Sequence, residues 1–135
     1  MPKVAVLRKA EFSAAHRLHN PEWSASENAE IFDKCNNANF HGHNYQLLVR
    51  VVGEINPETG YVMDMKDLKE LIDQEVITPF GHQNLNQTDT FRSLNPTAEN
   101  IAVVIWNRLK ARLGEQYELK ITLYETERNI VEYPA

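Results

Sequence analysis

The chain has 135 residues, 42% of them hydrophobic and 24% charged, which is the size and make-up of one globular domain over residues 1–135. A net charge of −5, with no clustered Lys and Arg, excludes the phosphate-neutralising surface that nucleic acid demands. No apolar run approaches the roughly 20 residues of a membrane span, Met1-Pro2-Lys3 opens no signal peptide, and a lone cysteine forms no internal disulfide, so the expectation is a cytoplasmic protein without membrane contact.

In the first segment Val4, Val6, Ala10, Phe12, Ala14 and His16 fall on one parity, the alternation of a half-buried strand. Arg8 breaks that alternation and predicts a bulge. Residues 17 to 40 read as a long polar loop holding Cys35, with Ser24-Ala-Ser-Glu27 as a capping box for a short helix over about 25 to 33. His41-Gly-His43 then opens a second strand, continued on the same face by Tyr45, Leu47, Val49 and Val51. After a turn at Asn56-Pro-Glu-Thr-Gly60, Tyr61-Val-Met63 is expected to pair briefly. Asp64 caps a helix bearing Met65, Leu68, Leu71, Ile72 and Val76 on one side. Residues 78 to 95 are irregular and contain His82. Pro96, at the first helical position, begins a helix whose stripe is Ile101, Ile105, Leu109 and Leu113, ended by Gly114. Tyr117, Leu119, Ile121 and Leu123 return to period two, and Asn129 to Tyr133 can hairpin back. The order ββααββ predicts an α+β domain: a four-stranded antiparallel sheet with two helices on one face.

The candidate chemistry lies at the strand ends. In an extended strand His41 and His43 point to the same side and can grip one ion, although such a pair also occurs at strand ends without a metal. His16, on the inward parity of its own strand, supplies a third imidazole; His19 is the rival but lies past the strand. Cys35 is either a small buried hydrophobe or, six residues before His41 in a polar loop, a reactive thiol whose thiolate a nearby dication would favour. Glu125 stands where the strand pattern calls for an apolar residue. It is to be satisfied by a flat ligand with adjacent N–H groups, or by Arg8, Arg17 or Arg128. His82 taken alone is a loop histidine.

The stretches Phe12-Ser-Ala-Ala-His-Arg-Leu18, Cys35-Asn-Asn-x-Asn-x-His41-Gly-His43-Asn-Tyr45, Gly60-Tyr-Val-Met63, Pro96-Thr-Ala-Glu-Asn100 and Tyr124-Glu-Thr-Glu-Arg-Asn-Ile130 resemble, over essentially the whole chain, the 6-pyruvoyltetrahydropterin synthase family. The resemblance implies a homohexamer in which trimers join their sheets into a barrel, with active sites between subunits. It implies a zinc ion on His16, His41 and His43, and 7,8-dihydroneopterin triphosphate as a substrate that loses triphosphate. By the same carry-over Cys35 and His82 are catalytic, Glu125 anchors the pterin, and Thr97 and Glu99 lie near it.

The family pairs its cysteine with an Asp-His dipeptide, whereas Gly81 precedes His82 here, so the orienting carboxylate is missing: either another acid such as Asp89 substitutes for it, or the enzyme runs slowly or prefers another reaction. Arg17 and Lys34 are candidates for the phosphates. Two other readings accompany the first: a 6-carboxytetrahydropterin synthase of the queuosine pathway, and a zinc-containing pterin-binding module without catalysis. The long gap between Cys35 and His41 favours the pyruvoyl-forming branch.

Overall fold

A computed structural model describes residues 2–135. Its frame is a hairpin of two long strands, β1 (Lys3–His16) and β2 (His41–Glu54), paired antiparallel in unbroken register from Lys3 opposite Glu54 to His16 opposite His41. The bulge expected at Arg8 does not form: Arg8 stands opposite Val49 in the ladder, its parity kept. A long, partly exposed side chain can lie along the sheet with its charged head in water, so the strand need not break to release it.

Between these strands, α1 (Ala25–Phe32) begins at Ser24, whose hydroxyl accepts from the Glu27 amide as the capping box requires. It ends in a single tight turn, Asp33–Asn36, that carries Cys35. Buried Asn28 ties this segment down, its amide accepting from the Asn20 N–H and donating to the Asn20 and Ser24 carbonyls. Helix α2 (Met65–Ile72) is capped by Asp64 and runs through a wider turn, Asp73–Ile77, into the three-residue α3 (Thr78–Phe80). Tyr61-Val-Met63 pairs with no strand; the Tyr61 carbonyl accepts from the Asn56 amide and the Val62 carbonyl from the Tyr117 hydroxyl.

The expected four-stranded antiparallel sheet is corrected to a five-stranded mixed one, in the order β3-β1-β2-β4-β5. The additional strand, β3 (Gln83–Asn84), lies parallel to Ala14 and Ala15 of β1. Two residues are too few to show a period, which is why the segment reads as loop. On the other side β4 (Glu118–Tyr124) pairs with β2, and β5 (Ile130–Tyr133) turns back on β4.

Helix α4 (Ala98–Lys110) starts later than expected. Thr97 is the capping residue, its hydroxyl accepting from the Asn100 amide, so Pro96 stands outside the helix rather than at its first position. Ile101, Ile105 and Leu109 of α4 join Leu68, Ile72 and Val76 of the α2 segment and Tyr45, Leu47, Val49, Ile121 and Leu123 of the sheet in one buried core. Each such aliphatic side chain contributes roughly 1.5–3 kcal/mol of burial. The core face of the hairpin therefore runs from aliphatic residues at its middle to imidazoles at one end.

Candidate metal centre

The site follows from the hairpin register. His16 stands opposite His41 and His43 opposite Ala14, and pleating turns all three imidazoles to the core face. The rings form a nearly equilateral group with centroids 4.5, 5.0 and 4.9 Å apart, and one nitrogen from each lies within 4.8 Å of the others. His19, the rival, is not in the group; its Nδ1 accepts from the Asn36 side-chain amide at 3.0 Å.

The hydrogen bonds set which nitrogen is free. His16 is fully buried and its Nδ1–H donates to the Pro96 carbonyl at 2.7 Å, which puts the ring's lone pair on Nε2, where the Tyr45 hydroxyl lies 3.4 Å away. His41 Nδ1 and His43 Nε2 are buried without any hydrogen-bond partner. Such orphaned nitrogens are costly in a folded protein unless something accepts their lone pairs. Burial, and then the proximity of the other two rings, pushes the His16 imidazole down to about 4 despite the opposing Pro96 bond. Burial and His43 lower His41 against the opposing pull of Glu125. Both rings are thus uncharged at neutral pH, the form that binds a metal. Three converging imidazoles, two of them with unpartnered buried nitrogens, fit a single transition-metal ion such as zinc.

Around this group the other expected residues fall unequally. Glu125, just beyond β4, brings Oε2 to 3.9 Å from His16 Nε2 and is mostly shielded from solvent, at 19% side-chain exposure. The alternative partner for Glu125, an ion pair with Arg8, Arg17 or Arg128, is absent among the described residues. Burial pushes the Cys35 thiol up, and the charges of Glu125 and Asp33 push it further, so without a cation the side chain is a thiol.

His82 differs. It is exposed, takes φ +57, and donates its backbone N–H to the Ser13 carbonyl at the sheet edge. It borders a surface concavity shared with His43, Asn44 and Glu125, yet no hydrogen bond holds its imidazole among the described residues. Asp89 is not the replacement acid, since its carboxylate pairs with Arg92 at 3.0 Å and is almost fully exposed. Nor is there room for a carboxylate at position 81: a Cβ there would lie 2.5 Å from the Ile77 carbonyl oxygen. Thr97 is occupied as a helix cap, and Glu99 is exposed in the first turn of α4.

Two contributors escaped the residue pattern. The Pro96 carbonyl is a backbone group that no side-chain motif reveals. The Tyr45 hydroxyl lies 3.3 Å from His16 Nδ1. Its place two residues along the strand from His43, next on the same face, was a usable signal, because a buried phenol needs a partner. Burial raises its pKa strongly, with Glu125 and Cys35 adding to the effect, so Tyr45 remains a neutral group.

This fold, with its three converging imidazoles, is that of the 6-pyruvoyl tetrahydropterin synthase family, to which the chain belongs: the family profile matches residues 5–135. The chain is 44% identical over 129 residues to the human 6-pyruvoyl tetrahydrobiopterin synthase, covering 95% of this chain and 89% of that one. It superposes on the solved structure of the Caenorhabditis elegans 6-pyruvoyl tetrahydropterin synthase with a TM-score of 0.92 and 40% identity, over 98% of this chain and 96% of the other. A dihydroneopterin monophosphate aldolase of Pyrococcus furiosus is also similar, 36% identical over 124 residues, or 91% of this chain and 90% of the aldolase.

Proposed function

We propose that the chain is a zinc-dependent lyase that converts 7,8-dihydroneopterin triphosphate to 6-pyruvoyltetrahydropterin with elimination of triphosphate. The observation that carries this reading is the trio of converging imidazoles, two with orphaned nitrogens, inside a member of this family. His16, His41 and His43 hold the metal, which when bound supplies Lewis acidity toward hydroxyls of the substrate side chain. Glu125 accepts the adjacent N–H groups of the pterin edge, which explains an inward carboxylate with no cationic partner. Cys35 takes protons from the side-chain carbons once a dication offsets the charges that hold its thiol up. His82 serves as a second proton carrier, and Thr97 and Glu99 lie near the pterin ring.

The assembly proposed is a homohexamer in the cytoplasm. Its support in the fold is that β1, apart from Ala14 and Ala15, has no strand on its outer side among the described residues. Val4 and Leu7 are large apolar side chains left exposed on that same strand.

Incubation with 7,8-dihydroneopterin triphosphate, with and without a chelator, tests substrate, metal and branch together by product mass. Triphosphate release that depends on metal, with a pyruvoyl product, is expected. Cys35→Ala should cut the rate by roughly 10²- to 10⁴-fold at unchanged metal content. Unchanged product distribution and turnover in His82→Ala would remove that residue from the account.

A second reading is cleavage of a side-chain carbon–carbon bond. The absence of a carboxylate at Gly81 and the similarity to the Pyrococcus furiosus aldolase favour it. A shortened pterin together with a released aldehyde, or a carboxyl product, would decide for that chemistry over pyruvoyl formation.

A further inference from the structure

Pro96, whose carbonyl holds His16, also borders a cavity of about 570 Å³ that none of the three metal-centre histidines, Cys35 or Glu125 lines. Its volume is that of a site for a small organic molecule. Four aromatic rings line it, from Trp23, Phe32, Phe40 and Phe91, with Trp23 and Phe32 stacked 5.7 Å apart at 19°. In a protein of net charge −5, two arginines and no carboxylate face this space.

The polar lining is one-sided in a more specific way. The side-chain oxygens of its three asparagines are already taken by backbone amides: Asn86 by Arg17, Asn95 by His19 and Asn20 by Glu22. The side-chain amides of Asn20 and Asn95 keep their N–H groups without a partner among the described residues. His19 receives the Asn36 amide on Nδ1, which puts its own proton on Nε2 as a further donor. Arg17 anchors Nε on the Asn36 carbonyl at 3.1 Å and forms no ion pair among the described residues, so its two terminal nitrogens are free. Arg92 reaches the same space while paired with Asp89. What the lining offers a guest is an excess of donors, with the Ser93 hydroxyl as an adaptable group, between flat apolar walls.

We infer that this cavity binds a small planar anion, an aromatic ring carrying a phosphate or a carboxylate, at a site separate from the metal centre. The ring lies against the aromatic walls, and the anionic group meets Arg17 and the Asn95 amide. The inference does not rest on the proposed reaction: it uses neither the three histidines nor Cys35, His82 or Glu125, and Arg17, a candidate in the sequence for the substrate phosphates, is the one shared group.

The probes are 1-naphthyl phosphate, 1-naphthoate and 1-naphthol, titrated against tryptophan fluorescence of the intact protein in the presence of a chelator. Saturable quenching is expected for at least one anion, about tenfold tighter than for 1-naphthol. Whichever anion binds more tightly identifies the acidic group preferred. Trp23→Phe should abolish the quench, leaving Trp106 unaffected. Arg17→Gln should weaken the anion about tenfold. Because Arg17 also holds the loop, Asn95→Asp is the second variant: it keeps the oxygen that accepts the His19 amide and places a like charge at the anion. That variant should lose the anions and retain 1-naphthol. Binding unchanged in Asn95→Asp, equal affinity for 1-naphthol, quenching that survives in Trp23→Phe, or no quenching by any probe would overturn the inference. His41→Ala should bind the anions as the parent does, which keeps the result apart from failure of the metal site.

Discussion

The two halves of the β1–β2 ladder share one geometry and differ in what they ask of their side chains. From Val6 opposite Val51 to Phe12 opposite Tyr45 the core face is largely filled by shape alone, and every contact is shared among many neighbours. From Ala14 opposite His43 to His16 opposite His41 it is filled by groups whose lone pairs need a partner. In the first half the hydrophobic effect acts through area and tolerates exchange of one aliphatic side chain for another. In the second, one bond from Pro96 fixes the tautomer of a ring, and no neighbour can substitute for a missing nitrogen.

The sharpest way to break the comparison is His43→Ala. Loss of one ligand of three should lower zinc affinity on the order of a thousandfold, read by competition with a chromophoric chelator, while the fold survives. Leu47→Ala, four residues further along the same face, should do the opposite: a loss of about 3 kcal/mol in urea unfolding with metal stoichiometry unchanged. Acid should separate the halves next. The His16 imidazole is held down at about 4 by burial, so the unfolded chain takes up its proton first as pH falls below about 6.5. The metal-free protein should therefore lose roughly 2 kcal/mol of stability between pH 7 and pH 5, and His16→Gln should flatten that profile. Thr97→Val is the smallest test. Loss of the cap on α4 should cost about 1 kcal/mol, and a concurrent fall in zinc affinity would show that the cap also positions the Pro96 carbonyl on His16.

The same contrast explains what was readable from residues alone. Period-two alternation alone puts His16, His41 and His43 on the inward parity of their strands, because parity is a property of the chain and the ladder merely aligns it. The helical stripes of Leu68, Ile72, Ile101 and Ile105 were equally plain. The two-residue strand at Gln83 carries no period, and the shift of Pro96 out of α4 turns on a single hydroxyl at Thr97. The third imidazole's tautomer depends on a carbonyl eighty residues away in sequence, which no local pattern encodes. The clash awaiting a Cβ at Gly81 is likewise a statement about the Ile77 carbonyl, not about residue 81.

The outer rim of β1 carries a further consequence. A strand whose backbone donors and acceptors face outward invites any other extended chain to join it, including unfolded copies during synthesis. Along this rim stand Lys3, Arg8, Lys9 and Glu11, a mixed and mostly cationic fringe on an otherwise acidic protein. An unfolded neutral segment that docked here would have to strip water from those charges without repaying them, whereas a partner edge bearing carboxylates would not. The fringe thus acts as a filter on self-association, and it weakens as ionic strength rises, when charges in water cease to feel one another beyond a few ångströms.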